Sequence, residues 1–122
     1  MPNEYLAWLE RAKYDIESAD LLIREQGHPD IFIYLIHLSL EKLLKGYLLK
    51  FGQSPPRVHY LVDLKDLLLP YVPNLNLVNS QITGIDQYYP KLRYPTGDQL
   101  SEMDALESRD WYAQVFMVLV ET

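Results

Sequence analysis

IFIYLIHLSLEKLLKGYLLKF occupies residues 31–51 and is the most apolar stretch of the chain. Its length suggests a membrane span, but Glu41, Lys42 and Lys45 lie near its middle, where burial in lipid is costly. As an α-helix it would be about 30 Å long. The stretch therefore predicts the central helix of a bundle, with other helices packed around its apolar sides.

The region before this stretch predicts a first helix over residues 4–25, with Asn3 as its N-cap. Its apolar residues follow a heptad spacing typical of a bundle helix: Tyr5, Leu9, Ala12, Ile16, Ala19 and Ile23. The small Ala12 and Ala19 should let the central helix approach closely. We expect Arg11–Asp15 and Asp20–Arg24 to be ion pairs along this helix.

Turn-forming residues predict where the other helices begin and end. Gly27 should end the first helix, Asp30 should cap the second, and Gly52 should end it. Leucines from residue 61 predict a short third helix ending near Pro70, and residues 78–89 predict a weaker one. Ser101 and Asp104 have the spacing of a capping box at the start of the last helix. We therefore predict an all-α, up-and-down antiparallel bundle of four main helices plus a short helix, in a single domain over residues 1–122.

Composition excludes several classes of function. The 122 residues carry a net charge of −6, which disfavours broad, non-specific nucleic-acid binding. Cysteine is absent, so disulfides, thiolate metal sites and cysteine nucleophiles are excluded. The N-terminal residues do not have a signal-peptide pattern, and we expect a cytoplasmic protein with no membrane span. The chain has ten tyrosines, whose rings can be buried while their hydroxyls face water. Such residues are typical of helix interfaces, so they indicate an oligomer.

Polar residues on the central helix are the first candidates for a site. His37, Glu41 and Lys45 are four residues apart and form one stripe, while Lys42 lies about 100° further round the helix. Glu41 and Lys45 have the favourable order for an ion pair. Two interpretations stay open: an ion pair at the edge of the core, or a polar groove for a ligand or partner.

Two further segments add candidates. Residues 88–98, YYPKLRYPTGD, predict a loop in which prolines bar regular helix and Arg93 lies beside Tyr94. Bases interleaved with aromatic rings can hold a phosphate and stack on a base, although the segment could equally be a rigid connection. His59 should lie at the start of the third helix, where it either holds the loop or faces a site.

Four motifs, in order along nearly the whole chain, resemble those of HEPN domains. They are A-x-x-D-x-x-x-A (Ala12, Asp15, Ala19), E-K-x-x-K (Glu41, Lys42, Lys45), H-x-L (His59, Leu61) and Arg93-Tyr94-Pro95. The resemblance implies a helical bundle that commonly forms a homodimer. It also implies partnership with a minimal nucleotidyltransferase in prokaryotic toxin–antitoxin or defence modules.

The chain departs from the family pattern in two places. Ribonuclease members of the family carry an Arg followed, after four to six residues, by a His, and no His follows Arg93 at that distance. The usual general acid or base for cleavage is therefore missing, which favours a protein that is not an enzyme. The second departure is His37-Leu38, where many relatives have Gln-Gln.

Three hypotheses follow. The first is a binding module for a nucleotide, another polyanion or a nucleotidyltransferase partner. Its binding residues would be Lys42, Lys45, His59, Arg93 and Tyr94, supported by His37 and Glu41. The second is a metal-independent ribonuclease toxin using Arg93 and a histidine, and the third is a purely structural dimer. The chain contains no phosphate loop and its histidines lack metal-ligand spacing, so we expect neither a metal nor a cofactor.

Overall fold

The computed structural model describes residues 3–93 and 99–122, and of residue 93 the backbone alone. All regular elements of the described residues are helical, which confirms the predicted all-α bundle. They are α1 (Glu4–Arg24), α2 (Pro29–Lys50), α3 (Leu61–Leu68), a 3₁₀ helix (Pro73–Val78), α4 (Asn79–Asp86), α5 (Tyr89–Arg93) and α6 (Glu102–Val120).

The second helix is the centre of the bundle, as its apolar sequence predicts. It packs against α1, α3, α4, α5 and α6, and its buried residues run from Phe32 to Leu48. The most extensive of these contacts is with α1, whose Ala12 and Ala19 are fully buried. A Cβ added at Gly46 would lie 3.0 Å from Cδ2 of Leu9, so the small residues of both helices permit their close approach.

Two of the predicted helix ends need correction. The first residue of α2 is Pro29 and its N-cap is His28, so the prediction that Asp30 caps this helix is wrong. Proline suits the first helical position because its φ is already helical and its missing N–H is not needed there. At the end of α1 the left-handed residue is Gln26, with a φ of 60°, rather than Gly27.

The predicted end of α2 at Gly52 is confirmed. Gly52 has a φ of 78°, and its N–H donates to the carbonyl of Leu49 at 2.9 Å. The N–H of Gln53 donates to the carbonyl of Leu48 at the same distance. These two bonds form a Schellman motif, which satisfies carbonyls that the helix itself leaves free.

Residues 73–93 are more helical than the sequence predicts. The weak helix expected over residues 78–89 is α4, the 3₁₀ helix lies almost entirely before that span, and residues 89–93 of the expected loop form the single turn α5. Pro90 is compatible with α5 because it lies in the first turn, where no intrahelical N–H donor is required. A side chain at Gly84 would clash with α6, because its Cβ would lie 2.6 Å from the ring of Trp111. The close packing at this point explains why α4 contains a glycine.

Side-chain pairs tie the long helices together. Arg109 of α6 donates to both carboxylate oxygens of Asp20 in α1, at 2.7 and 3.1 Å. Asp15 of α1 accepts from Lys42 of α2 at 2.7 Å. Asp15 and Asp20 are therefore paired between helices, and the predicted Arg11–Asp15 and Asp20–Arg24 pairs within the helix are wrong.

The apolar character of α2 is explained by its neighbours in the bundle. Across the part of the chain that the structure describes, every helix is too short or too polar to cross a membrane.

Candidate functional site

The predicted stripe on α2 is present and lies inside the protein. His37 is fully buried, and Glu41 and Lys45 are 9% and 8% exposed. The ammonium of Lys45 donates to Oε2 of Glu41 at 3.1 Å, so the predicted pair forms. Charged groups at this depth need partners, because burial removes the water that would otherwise solvate them. We call these three residues the polar stripe.

Asp86, at the end of α4, is the partner of His37. Its Oδ1 lies 3.1 Å from Nε2 of His37 and accepts from the backbone N–H of Leu61 at 2.9 Å. Its Oδ2 accepts from the N–H of Val62 at 3.2 Å. The carboxylate thus caps the start of α3 from outside that helix. A carboxylate oxygen can only accept, so the His37 tautomer that bonds to Asp86 is the one with its proton on Nε2.

The other ring nitrogen of His37 faces Glu41. Nδ1 lies 3.9 Å from Oε1 of Glu41, and it has no hydrogen-bond partner among the described residues. The imidazole ring stacks on Tyr89 at a centroid distance of 4.7 Å. His37 is therefore held between a carboxylate that it contacts and a second carboxylate just beyond hydrogen-bond distance.

His59 brings the polar stripe to the surface. Its Nδ1 lies 3.5 Å from Oε2 of Glu41, while its side chain is 59% exposed. It directly precedes Tyr60, the N-cap of α3, as predicted. The rings of His59 and Tyr60 lie 6.2 and 5.2 Å from that of Tyr89. We call this edge, formed by Glu41, Lys45, His59 and Tyr89, the His59 site.

A separate contact anchors the start of α5. The hydroxyl of Tyr88 donates to Oδ1 of Asp104 in the first turn of α6 at 3.3 Å. Burial, more than the nearby carboxylate, raises the pKa of Tyr88, so its hydroxyl keeps its proton and remains a donor. The backbone N–H of Ser101 is the main cause of the lowered pKa of Asp104, which keeps that carboxylate an acceptor.

The family can now be assigned. The sequence-family model of the HEPN domain matches residues 5–121. The chain belongs to the HEPN domain family. No curated protein and no solved structure is significantly similar to it. The match spans α1 to α6 and therefore includes the polar stripe and the His59 site.

The binding residues predicted for this HEPN domain do not all lie together. Lys45 and His59 converge on Glu41, whereas the ammonium of Lys42 points to Asp15 of α1. The side chain of Arg93 and the whole of Tyr94 lie outside the described residues. The backbone of Arg93 ends α5, one turn after Tyr89. The predicted binding roles of these five residues stay predictions.

Sequence reasoning missed Asp86 and Tyr89. Asp86 is 49 residues from His37, and its role depends on α4 reaching α2 and α3 together. The Tyr89-Pro90 pair suggested a loop, but Tyr89 is buried at the start of α5 beside two histidines. Among residues 3–93 and 99–122, no group of three or more His, Asp or Glu is arranged to hold a metal ion.

Proposed function

We propose that this HEPN domain is a non-catalytic binding module whose His59 site receives a phosphate group of a nucleotide or another polyanion. The proposal depends on one observation: a buried polar stripe in an apolar bundle reaches solvent at His59. Burying charged groups opposes folding, and apolar residues of similar size are often as stable or more so. A stripe that is kept at this cost and reaches solvent at one end favours a functional role.

The chemistry of the site suits an anion. His59 has most of its ring exposed, so an imidazole nitrogen can donate to a phosphate oxygen. Lys45 provides a fixed positive charge beside Glu41. Arg93 is the last residue of α5 and Tyr94 is the next residue in the sequence; in this proposal Arg93 holds the phosphate and Tyr94 stacks on the base. Lys42, engaged by Asp15, contributes long-range attraction rather than a direct contact.

Titration calorimetry with ATP tests this function. We expect saturable heat with the unchanged protein, and weaker binding by about tenfold in His59→Ala and in Arg93→Ala, the loss of one charge-assisted contact. Arg24→Ala removes an exposed arginine at the end of α1 and should bind like the unchanged protein. No heat above background, or equal weakening in all three variants, would overturn the proposal.

A minimal nucleotidyltransferase is the protein partner that we propose, in a toxin–antitoxin or defence module. The adjacent reading frame is the first place to look for it. If a nucleotidyltransferase is encoded there, co-expression should give a complex that survives purification. Loss of the complex in Arg93→Ala but not in Arg24→Ala would support the His59 site as the docking surface. An unchanged complex in both would place the contact elsewhere.

A ribonuclease activity is the second candidate, because the exposed imidazole of His59 pairs with the buried carboxylate of Glu41. Such a pair can accept a proton from a 2′-hydroxyl, and Arg93 would stabilise the charged phosphorane. RNA cleavage followed on gels should then disappear in both His59→Ala and Arg93→Ala. Cleavage that survives both substitutions would be contamination, and its absence in the unchanged protein would leave the binding module.

We also propose a homodimer formed through α6. Large apolar side chains lie exposed on one face of this helix: Met103, Leu106, Met117 and Val120. Next to them, a groove of about 290 Å³ is lined by Lys13 and by apolar and aromatic residues of α1, α2 and α6, including Leu43 and Phe116. Exposed apolar surface of this kind is typical of interfaces. If neither nucleotides nor a nucleotidyltransferase bind, this dimer would be the whole function.

Light scattering after size exclusion tests the dimer. The unchanged protein should have twice the mass of one chain, and Met117→Glu should shift it to one chain. Thr83→Glu, an exposed position on α4, is the matched control and should stay dimeric. A single-chain mass for the unchanged protein would rule out this interface.

A further inference from the structure

Two hydrogen-bond acceptors face each other inside the polar stripe. The His37 tautomer that donates to Asp86 from Nε2 has a lone pair at Nδ1. This nitrogen is buried, has no hydrogen-bond partner among the described residues, and lies 3.9 Å from Oε1 of Glu41. A carboxylate oxygen also only accepts, so the two atoms cannot bond to each other while the ring is neutral. A buried acceptor without a donor costs free energy, so the contact is unfavourable in this state.

One added proton makes the same contact favourable. An imidazole is ordinarily a stronger base than a carboxylate, so the proton resides on Nδ1 of His37. The imidazolium then has a donor for Asp86 and a donor for Glu41, one from each ring nitrogen. Hydrogen bonds between ionised partners are stronger than neutral ones. The proton also balances the local charge, because Asp86 and Glu41 bring two negative charges against the one positive charge of Lys45.

The surroundings of the ring show where the effect of this proton is transmitted. The ionisable side chains that contact His37 or share its carboxylates come from α4, α2, α5 and the residue before Tyr60: Asp86, Glu41, Lys45, Tyr89 and His59. Described residues of α1, α3 and α6 contribute no such contact. Of the two carboxylates, only Glu41 continues to the surface, where it meets His59.

We propose that His37 is a buried pH sensor that controls the His59 site through Glu41. The two oxygens of this carboxylate have different neighbours. Oε1 faces His37, whereas Oε2 accepts from Lys45 at 3.1 Å and lies 3.5 Å from Nδ1 of His59. When acid protonates His37, the imidazolium attracts the carboxylate, and Lys45 and His59 lose part of their attraction to it. The exposed edge of the site then becomes more positive.

Histidine is suited to this role because its charge ordinarily changes between about pH 5 and 8. The sensor requires no bound ligand. It therefore holds or fails separately from the proposed function, and its test uses the protein alone.

NMR titration of the ring nitrogens tests the sensor in the unchanged protein. Near about pH 8, His37 should show one protonated and one unprotonated nitrogen, and near about pH 5 both should be protonated with the fold intact. The signals of His59 should shift over the interval in which His37 takes up its proton. His28, the exposed N-cap of α2, is the internal control and should titrate in one step without that shift.

Three results of this titration would overturn the proposal. The first is an unprotonated Nδ1 of His37 in the folded protein down to about pH 5. The second is a His59 that does not respond in the interval of the His37 transition. The third is a His28 that shows the same response, since this would indicate a change of the whole fold.

Two variants test the coupling through Glu41. His37→Gln keeps an amide donor for Asp86 but cannot take up a proton, so the titration of His59 should move to higher pH. Glu41→Gln removes the attracting carboxylate, so His37 should remain neutral at a pH where it is doubly protonated in the unchanged protein. Glu17→Gln, at an exposed acid of α1, is the matched control and should alter neither histidine.

An unchanged His59 titration in His37→Gln, or equal effects of Glu41→Gln and Glu17→Gln, would also overturn the proposal. If neither variant at the polar stripe folds, the unchanged protein decides alone. A His59 shift that coincides with the protonation of His37 then supports the sensor, and the absence of that shift refutes it.

Discussion

Oδ1 of Asp86 lies 3.1 Å from Nε2 of His37 and so joins the last residue of α4 to the middle of α2. The same carboxylate accepts the N–H groups of Leu61 and Val62 at the start of α3. One buried side chain therefore fixes three helices around the His59 site. His59 precedes α3 by two residues, so its position against Glu41 depends on this junction.

Substituting Asp86 should be among the most damaging single changes outside the apolar core. We expect Asp86→Ala to lower the free energy of unfolding by about 2–4 kcal/mol, because it leaves buried donors without acceptors. Asp86→Asn keeps one acceptor oxygen and should cost less. Urea unfolding measures both.

Asp66→Ala provides the control for Asp86. Asp66 is a largely exposed acid of α3 that pairs with Lys65 at 2.8 Å. Its removal should change the free energy of unfolding by less than about 1 kcal/mol, because Asp66 is solvated and the buried ammonium of Lys65 keeps its bond to Asn79 at 2.7 Å. If Asp86→Ala costs no more than Asp66→Ala, Asp86 does not hold the three helices together.

High pH should destabilise the protein through Tyr112 of α6. The hydroxyl of Ser39 donates to the carbonyl of Ala12 at 2.7 Å, so the Tyr112 hydroxyl, 2.8 Å away, is the donor to Ser39. Burial raises the pKa of Tyr112 above its ordinary value of 10.0. The stabilisation is therefore complete below the ordinary pKa and is lost as the pH rises through the folded-state value.

Melting temperatures recorded from pH 8 to pH 12 test this dependence. The unchanged protein should lose stability more steeply above about pH 10 than Tyr112→Phe, which has no ionisable hydroxyl at this position. Tyr47 and Tyr88 also have raised pKa values, but they are present in both proteins and cancel in the comparison. Parallel curves for the two proteins would contradict the assigned role of Tyr112.

Local spacing predicted the parts of this structure that one helix determines. The helical period alone places His37, Glu41 and Lys45 on one side of α2, and the pair between Glu41 and Lys45 follows from their order. The capping box of α6 was predicted by the same reasoning, and it is confirmed by the bonds between Ser101 and Asp104.

Partners that come from another helix were not predicted. Asp15 could pair with Arg11 on its own helix or with a residue of a neighbouring helix, and only the packing of α1 on α2 brings Lys42 within 2.7 Å. The same limit applies to Asp86, because its three contacts are with residues distant in sequence. Pro90 predicted a loop because the sequence does not reveal whether a proline lies inside a helix or in its first turn.

Replacing Gly84 by alanine should destabilise the protein, although helix propensity alone predicts the opposite. Alanine is favoured over glycine inside a helix by about 1 kcal/mol. A Cβ at this position would, however, lie 2.6 to 2.9 Å from three ring atoms of Trp111. We expect Gly84→Ala to lower the free energy of unfolding by about 1–3 kcal/mol, since the overpacking exceeds the propensity gain.

Thr83→Ala, on the exposed face of α4, should be neutral or slightly stabilising in the same thermal or urea unfolding experiment. A stabilised Gly84→Ala would mean that α4 and α6 separate freely at this contact.

Low pH should weaken the start of α6 through its capping box. The carboxylate of Asp104 accepts from the N–H of Ser101 at 2.8 Å, and this bond is the main cause of its lowered pKa. Its stabilisation is therefore present above the ordinary pKa of 3.8 and is lost as the pH falls through the folded-state value. At neutral pH we expect Asp104→Asn to lower the free energy of unfolding by about 0.5–1 kcal/mol, with the difference from the unchanged protein vanishing in acid.

Glu102→Gln removes another acid of the same turn that has no capping bond, so it measures the helix dipole alone. If both variants lose equal stability at every pH in urea unfolding, the side-chain bond to Ser101 adds nothing, and the acids act only on the dipole.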